Sequence, residues 1–215
     1  MSLTCQCPAA AALTTIPTVN CPVNFGQIQK AAFQRLTKAD GTKNSFTSTN
    51  SILLKATWDT LLTATDGSKV VVSPYINAPA DGGGDARMSS GGNDDLGGIA
   101  EVLGGEPVQF TGSLRAIPQD VIKAMKSLSC EANVGNLGVY LFDENGNIEA
   151  IKGATEGTYY PIPIRAFFVG SKVHGNYDAK DSNAIQWSYP DNYSDDLVIV
   201  KPTDFNPLTD LIVSE

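Results

Sequence analysis

The sequence predicts an α+β protein built mainly on an antiparallel sheet, either a β-sandwich or a barrel-like sheet, with flanking helices. Three observations lead to this fold class. The second half of the chain alternates short β-branched and aromatic runs with turn residues, the first half contains apolar stripes at helical spacing, and a long Gly/Asp-rich loop interrupts the pattern. We expect an extended N-terminal arm over residues 1–23, a single domain over 24–201 with the loop insertion at 77–107, and an extended C-terminal arm over 202–215.

Helical signals come first along the chain. Asn24 is suited to cap a helix, and the apolar positions after it predict a helix over Phe25–Leu36. A second apolar stripe at helical spacing predicts a helix over Ser51–Leu62. A proline at a first helical position predicts a third helix over residues 118–128, with an apolar stripe formed by Val121, Ile122, Met125 and Leu128.

Strand signals dominate the rest of the sequence. Asn145-Gly146 between two apolar runs is typical of a β-hairpin turn. The predicted strands are Lys69–Tyr75, Val108–Arg115, Leu137–Phe142, Asn147–Lys152, Tyr160–Val169, Ala184–Tyr189 and Leu197–Lys201.

The insertion over residues 77–107 is the most unusual segment. It contains nine of the 20 glycines, and six acids against one base, Arg87. So long and polar an insertion is uncommon in a compact domain unless it forms a lid, a binding loop or a contact arm. Its apolar residues favour one short helix over Asp95–Leu103, which Gly104 would end.

The net charge of −8 disfavours one class of partner. An acidic surface repels phosphates, so we expect no tight DNA or RNA binding, although DNA can still slide past such a surface. The charge is uneven, since residues 1–76 carry six bases and three acids, whereas residues 178–215 carry two bases and eight acids. This distribution fits head-to-tail contact between copies, an acidic lumen, or solubility alone. The sequence shows no bilayer-spanning apolar run and no secretory signal, which predicts a protein kept in the cytoplasm or built into a particle there.

Cysteine and histidine content limits metal and acid–base chemistry. Cys5 and Cys7 form C-x-C rather than the C-x-x-C of common zinc sites, and Cys21 and Cys130 are the other thiols. A four-cysteine metal site stays open, but reduced thiols without a metal are the favoured interpretation. His174 is the sole histidine, and no Gly-x-Ser-x-Gly motif supplies a nucleophile for it. We therefore expect no catalytic residue, no metal site and no cofactor.

The remaining motifs indicate turns and surfaces. Residues 143–147 place their glycine too early for an EF-hand loop, so they predict a hairpin turn. The glycine runs of the insertion match neither the dinucleotide fingerprint nor the phosphate-binding loop. Asp94-Asp95 and Asp195-Asp196 are adjacent in sequence and tend to point apart, which disfavours a glycosidase. One aromatic cluster could stack on a sugar, or equally form a core or a subunit contact: Trp187, Tyr189 and Tyr193.

Three segments give the chain a resemblance to a known family: Asp81–Gly105, Ile117–Leu128 and Trp187–Pro202. With the N-terminal arm and the acidic C-terminus, they resemble the plan of bacteriophage virion proteins, and most of all tail-tube proteins. The resemblance covers the whole chain as a plan and rests on no signature motif. It implies a virion component, assembled in the bacterial host cytoplasm, whose copies form hexameric rings that stack into a tube. It also implies contacts with other virion proteins, DNA as a passing and non-specifically contacted cargo, no membrane partner and no enzyme activity.

Two further classes of protein stay open. The helical N-terminal third departs from the tail-tube plan and suits a head-completion or capsid-associated protein. A non-catalytic binding module, such as a carbohydrate-binding or host-attachment domain, is the alternative from a different class. A large ring or filament in solution favours a structural protein, whereas a monomer with glycan affinity favours the binding module.

Overall fold

The computed structural model describes residues 15–19, 21 and 23–211. This part of the chain contains two α-helices, α1 (Lys55–Thr63) and α2 (Gln119–Asn133). Its twelve strands are β1 (Ile28–Arg35), β2 (Val70–Val72), β3 (Asn77–Gly82), β4 (Ala86–Met88), β5 (Val102–Gly105), β6 (Gln109–Arg115), β7 (Leu137–Asp143), β8 (Ile148–Lys152), β9 (Tyr159–Tyr160), β10 (Ile162–Val169), β11 (Ser182–Ser188) and β12 (Leu197–Val200). The described residues are therefore mostly β-structure with two α-helices, as the α+β fold class predicts. Neither of these helices is long and apolar enough to cross a membrane.

Contacts divide the chain into two compact units. The larger unit comprises residues 25–82 and 107–215, and the smaller unit comprises residues 1–24 and 83–106. Residues 77–82 of the predicted insertion form strand β3, which belongs to the larger unit. The predicted N-terminal arm lies in the smaller unit, and most of it falls outside the described residues.

All strand pairs between the described residues are antiparallel. In the larger unit one sheet has the strand order β12-β8-β7-β10-β11-β6-β3, with β1 beside β7, β2 beside β1, and β9 beside β8. The first half of β10 pairs with β7 and its second half pairs with β11, with a bulge between Arg165 and Phe168. Ala166 in this bulge has a φ of 49°, so the strand changes direction there. No sheet closes within the described residues, so neither the sandwich nor the barrel of the prediction is confirmed.

The first predicted helix, Phe25–Leu36, is wrong, because this segment forms strand β1. β1 pairs with β7 along its whole length and with β2 on its other side. Its middle residues are buried on both faces, which hides the apolar–polar alternation of a half-buried strand. Lys30 and Gln34 are tolerated in this buried strand because each donates a hydrogen bond of 2.7 Å to a backbone carbonyl oxygen.

The first hydrophobic core lies between one face of the sheet and α2. Trp187 of β11 stacks on Phe110 of β6 with ring centroids 3.9 Å apart, and meets Phe33 of β1 edge to face at 5.8 Å. Strands β1 and β11 are not hydrogen-bonded neighbours, so two parts of the sheet face each other across this core. Ile122 and Met125 of α2 are buried against them, which confirms the apolar stripe predicted for this helix.

The second hydrophobic core lies on the opposite face of β1, β7 and β8, against α1. Trp58 of α1 is fully buried and contacts Phe46, Tyr140 and Phe142 at ring-centroid distances of 4.7–5.7 Å. This packing confirms a helix in the segment predicted at 51–62, although the helix begins a few residues later.

The C-terminal segment after β12 also packs on the second core. Its described residues, 202–211, contain no helix or strand. Leu211 is buried in the core, and Phe205 and Leu208 pack beside it. The Leu208 carbonyl oxygen accepts the hydrogen bond from Lys30 described above. The described part of the predicted C-terminal arm therefore lies against the larger unit of its own chain.

The other strand predictions agree with the structure to within a few residues. The exceptions are Lys69–Tyr75, of which only β2 is a strand, and Tyr160–Val169, which begins as the short strand β9 and continues as β10. The β7–β8 hairpin turns at Gly146, whose φ of 75° favours glycine.

Candidate functional site

The smaller unit contains a β-hairpin in place of the short helix predicted over Asp95–Leu103. Strand β4 pairs with β5, and two single 3₁₀ turns, Gly92–Asp94 and Leu96–Gly98, lie in the connection between them. The helix prediction is wrong because Gly97 and Gly98 adopt φ angles of 75° and 71°, which an α-helix does not allow.

Polar contacts hold the end of this hairpin together. The Ser89 hydroxyl donates to Asp95 Oδ2 at 2.6 Å, and the Gly91 N–H donates to the same oxygen. The Ser89 hydroxyl in turn accepts a hydrogen bond of 2.7 Å from the Glu101 N–H. Asp95 thus has a structural role, because its hydrogen bonds hold the connection between β4 and β5.

The smaller unit exposes an unusual share of large apolar side chains. Seven of the 13 exposed large apolar side chains in the described part of the protein belong to it, with exposed fractions of 52–90%. Neither hydrophobic core contains any of the side chains that the structure describes in residues 83–106. Met88 and Val102 are cross-strand partners, so their exposed side chains share one face of the hairpin. Exposed apolar side chains that lie together are typical of surfaces that meet another molecule. The seven residues are Ile16, Val19, Val23, Met88, Ile99, Val102 and Leu103.

His174 lies on the surface, with its side chain 84% exposed. Its Nδ1 is 3.8 Å from Asp181, which also accepts a 2.7 Å contact from the Lys172 ammonium. The hydrogen bond from Lys172, followed by one from the Gly175 N–H, lowers the pKa of Asp181. Lys172, His174 and Asp181 therefore form a group of charged side chains on the surface.

Neither of the two described thiols forms a disulfide. Cys21 and Cys130 are both exposed and free. Cys5 and Cys7 lie outside the described residues, so the four-cysteine metal site stays an open alternative. Among the residues that the structure describes, no three His, Cys, Asp or Glu side chains are grouped so as to hold a metal ion.

The turn over residues 143–147 uses its aspartate to organise the backbone. Asp143 accepts hydrogen bonds from the N–H groups of Gly26, Asn145 and Asn147, and from the Asn147 side-chain amide. Burial opposes its ionisation, but these hydrogen bonds outweigh burial and lower the pKa of Asp143. The predicted hairpin turn is confirmed, and the Asp143 carboxylate accepts hydrogen bonds from the turn and from Gly26.

The aromatic cluster near residue 190 is part of the protein interior. Trp187 and Tyr189 are 1% and 2% exposed, so neither ring offers a face to a sugar. Tyr189 stacks on the half-buried Tyr193 with ring centroids 4.2 Å apart. Of the alternatives that the sequence leaves open for this cluster, the structure supports a core.

Comparison with known proteins gives one structural likeness. No family model and no curated protein matches the chain. Among solved structures, the chain is similar to a chain in the tail of an empty GTA particle computed with helical refinement in C6 symmetry. The likeness has 11% sequence identity, covers 61% of this chain and 88% of that chain, and has a TM-score of 0.30. At that TM-score it establishes neither a common fold nor a common function.

Proposed function

We propose that the chain is a structural subunit of a phage-like particle, and more narrowly a tail-tube subunit whose copies assemble into stacked rings. The observation that carries the proposal is the hairpin over residues 83–106. The described side chains of the hairpin contribute to neither core, and Met88, Ile99, Val102 and Leu103 are exposed. A second copy of the chain is the partner that covers this apolar surface.

The energetic reason lies in the balance between ordering and burial. Ordering the backbone of one residue costs roughly 1–2 kcal/mol of conformational free energy, whereas burial of apolar surface contributes about 25 cal/mol of stabilisation per Å². The exposed apolar residues of the hairpin contribute this stabilisation only when a partner covers them. If the hairpin of each copy lies on a different surface of the next copy, the contact is heterologous, and such contacts produce rings or filaments.

The N-terminal segment supports the same role. Ile16, Val19 and Val23 are 80–90% exposed, so this segment also presents apolar surface without a core. Because the described C-terminal residues pack on their own chain, we assign contact between copies to the N-terminal segment and the hairpin. The net charge of −8 is compatible with a tube past which DNA slides without binding.

Sedimentation velocity over a range of protein concentrations tests the proposal. We expect the intact chain to sediment as rings or larger assemblies. A variant in which a short Gly-Ser linker replaces residues 84–105 should stay folded, since both cores are intact, and should sediment as a monomer. An intact chain that is monomeric at every concentration contradicts the proposal.

A matched pair of substitution variants separates hairpin contacts from general loss of surface hydrophobicity. In one variant Met88, Val102 and Leu103 are changed to Ser, and in the other Val134, Phe168 and Val173, which are exposed in the larger unit, are changed to Ser. Only the first variant should lose assembly. Equal assembly by both variants would exclude the hairpin as the contact.

A further inference from the structure

A cleft of about 450 Å³ lies in the larger unit, between the end of α2, the segment that follows β1, and strand β9. We call it the α2–β9 cleft. Its volume is within the range of ligand-binding clefts. Part of its apolar wall is accessible, because Val134 is 77% exposed and three other apolar residues are half-buried. The apolar residues that line the cleft are Leu36, Val134, Ile151, Tyr160 and Pro161.

Hydrogen bonds within the chain fix the polar part of the wall. The Asn136 side-chain oxygen accepts hydrogen bonds of 2.8 Å from the Thr37 N–H and from the Thr37 hydroxyl. The Asn136 side-chain amide donates to the Thr37 carbonyl oxygen at 3.1 Å. The Asn44 side-chain amide donates to the carbonyl oxygens of Arg35 and Gly67. The cleft is therefore preformed, and these amides are already used within the protein.

Two cationic side chains lie at the cleft without an acidic partner. Lys43 lines the cleft and is exposed, with its ammonium 5.8 Å from the centroid of the Tyr160 ring. A Cβ added at Gly135, which also lines the cleft, would overlap the exposed Arg165 guanidinium, so this guanidinium lies directly against the wall. Among the described residues, neither Lys43 nor Arg165 takes part in an ion pair.

Nearby acids do not neutralise these cations. No described Asp or Glu side chain lines the cleft, and Glu131, the acid in the last turn of α2, forms an ion pair with Arg35. A cation at the end of α2 also suits the helix dipole, which accounts for Arg165 but not for Lys43. Because the chain has 23 acids against 15 bases, an acid-free cleft with two unpaired cations is a local exception, and it favours an anion.

The residues of the cleft fit an anion that carries an apolar body. A guanidinium binds a carboxylate through two parallel N–H donors, and an ammonium adds a second positive charge. A divalent metal ion needs anionic oxygen, nitrogen or sulfur ligands, which this lining does not supply. A sugar needs free polar partners for its hydroxyls, whereas the Asn44 and Asn136 amides are bonded within the chain.

We propose that the α2–β9 cleft binds a small amphiphilic carboxylate. The carboxylate contacts the Lys43 ammonium and the Arg165 guanidinium, and the apolar body packs on Val134, Ile151 and Tyr160. This site goes beyond the proposed self-assembly and does not depend on it, since all of its residues belong to the larger unit of one copy.

Isothermal titration calorimetry of dilute protein with octanoate, below the critical micelle concentration, tests the proposal. We expect one saturable octanoate site per chain. Acetate carries the same head group without the apolar body, and octylammonium carries the same body with the opposite charge. Each of these two probes should bind at least about tenfold more weakly than octanoate, because each loses one of the two kinds of contact.

A pair of matched variants locates the site. The combination of Lys43→Gln with Arg165→Gln should bind octanoate at least about tenfold more weakly, because the charge-assisted contacts are lost. The control combines Lys123→Gln with Lys126→Gln, which removes two exposed charges from α2, and should bind octanoate as the intact chain does. All four side chains are exposed, so the melting temperatures should stay close to that of the intact chain.

The other outcomes overturn the proposal. Equal binding of octanoate and octylammonium would show an apolar surface without selectivity for an anion. Unchanged octanoate binding by the Lys43→Gln, Arg165→Gln variant would place the site elsewhere. If the intact chain binds no octanoate, the cleft is not a site for this ligand class, and loss of assembly in the same variant would then assign the cleft to a second copy. Because the titration uses dilute protein, a chain that never assembles overturns the proposed function and leaves this test valid.

Discussion

Phe33 and Trp187 meet edge to face with ring centroids 5.8 Å apart, although their strands share no hydrogen bonds. Phe33 is covered from a second direction by Phe167, at 5.1 Å. Aromatic contacts of this geometry add to the free energy gained from burial alone. The contact therefore joins two parts of the sheet that backbone hydrogen bonds do not connect directly.

Removing the Phe33 ring should destabilise the fold strongly. We expect Phe33→Ala to lower the free energy of unfolding by about 3–5 kcal/mol, because the ring is buried and its loss leaves a cavity between the two parts of the sheet. Phe168→Ala is the matched control, since that ring is 51% exposed. Urea denaturation measures both. Similar losses for the two variants would show that the aromatic contact does not join the sheet.

The apolar face of α2 gives a second prediction. Met125 is 7% exposed within the first core, so Met125→Asp places a charge among buried apolar side chains and should prevent soluble folding. Lys126→Asp makes a similar change at the next position, which is exposed, and should fold normally. Soluble yield and circular dichroism distinguish the two. A soluble, native-like Met125→Asp protein would contradict the burial of this face.

The raised pKa of Glu149 predicts an unusual dependence of stability on pH. Burial, and then the negative charges of Asp81 and Asp143, raise this pKa to about 7. The folded chain keeps the Glu149 proton up to a pH of about 7, whereas the unfolded chain releases it near its ordinary value of 4.5. Between these values the folded state binds more protons, so this group makes the free energy of unfolding fall as pH rises. Glu149→Gln removes the titration. We therefore expect it to be more stable than the intact chain above neutral pH, by on the order of 1 kcal/mol after allowance for solvent screening.

Thermal unfolding of dilute, unassembled protein measures this effect. The melting temperatures of Glu149→Gln and the intact chain should converge near about pH 4 and differ by roughly 2–4 °C near about pH 8. Glu144→Gln, at an exposed position in the neighbouring turn, should follow the intact chain. A constant difference at all pH values would mean that Glu149 titrates normally.

The parts of the fold that the sequence predicts are those in which local signals agree with tertiary packing. Asn145-Gly146 supplies the backbone conformation of the β7–β8 turn, and the stripe on α2 matches the one face that this helix buries. Local propensity and burial point to the same structure in both elements.

Strand β1 could not be predicted because its local signals favour a helix. Its residues include good helix formers, and two of its buried positions are polar, Lys30 and Gln34. Their hydrogen-bond acceptors come from the Ser68 and Leu208 carbonyl oxygens, which are distant in sequence. Only the tertiary fold supplies these acceptors, so the strand becomes recognisable when its neighbours are known.

The surroundings of Asp81 and Glu149 could not be predicted for a related reason. The sequence places Asp81 in the polar insertion, whereas the structure pairs it with Phe110 on the edge strand β3, where Asp81 stays exposed. Glu149 alternates with the buried residues Ile148 and Ala150 and is itself half-buried. Only pairing between strands distant in sequence shows which residues lie beside each acid.

Hydrogen exchange at the hairpin amides tests most directly whether residues 83–106 lie between copies of the chain. We predict that the amides of β4 and β5 exchange more slowly in concentrated, assembled protein than in dilute protein, because assembly covers the hairpin. The amides of β7, buried within the larger unit, should exchange equally in both samples and serve as the internal control. Equal exchange of β4 and β5 in the assembled and dilute samples would contradict the role proposed for the hairpin.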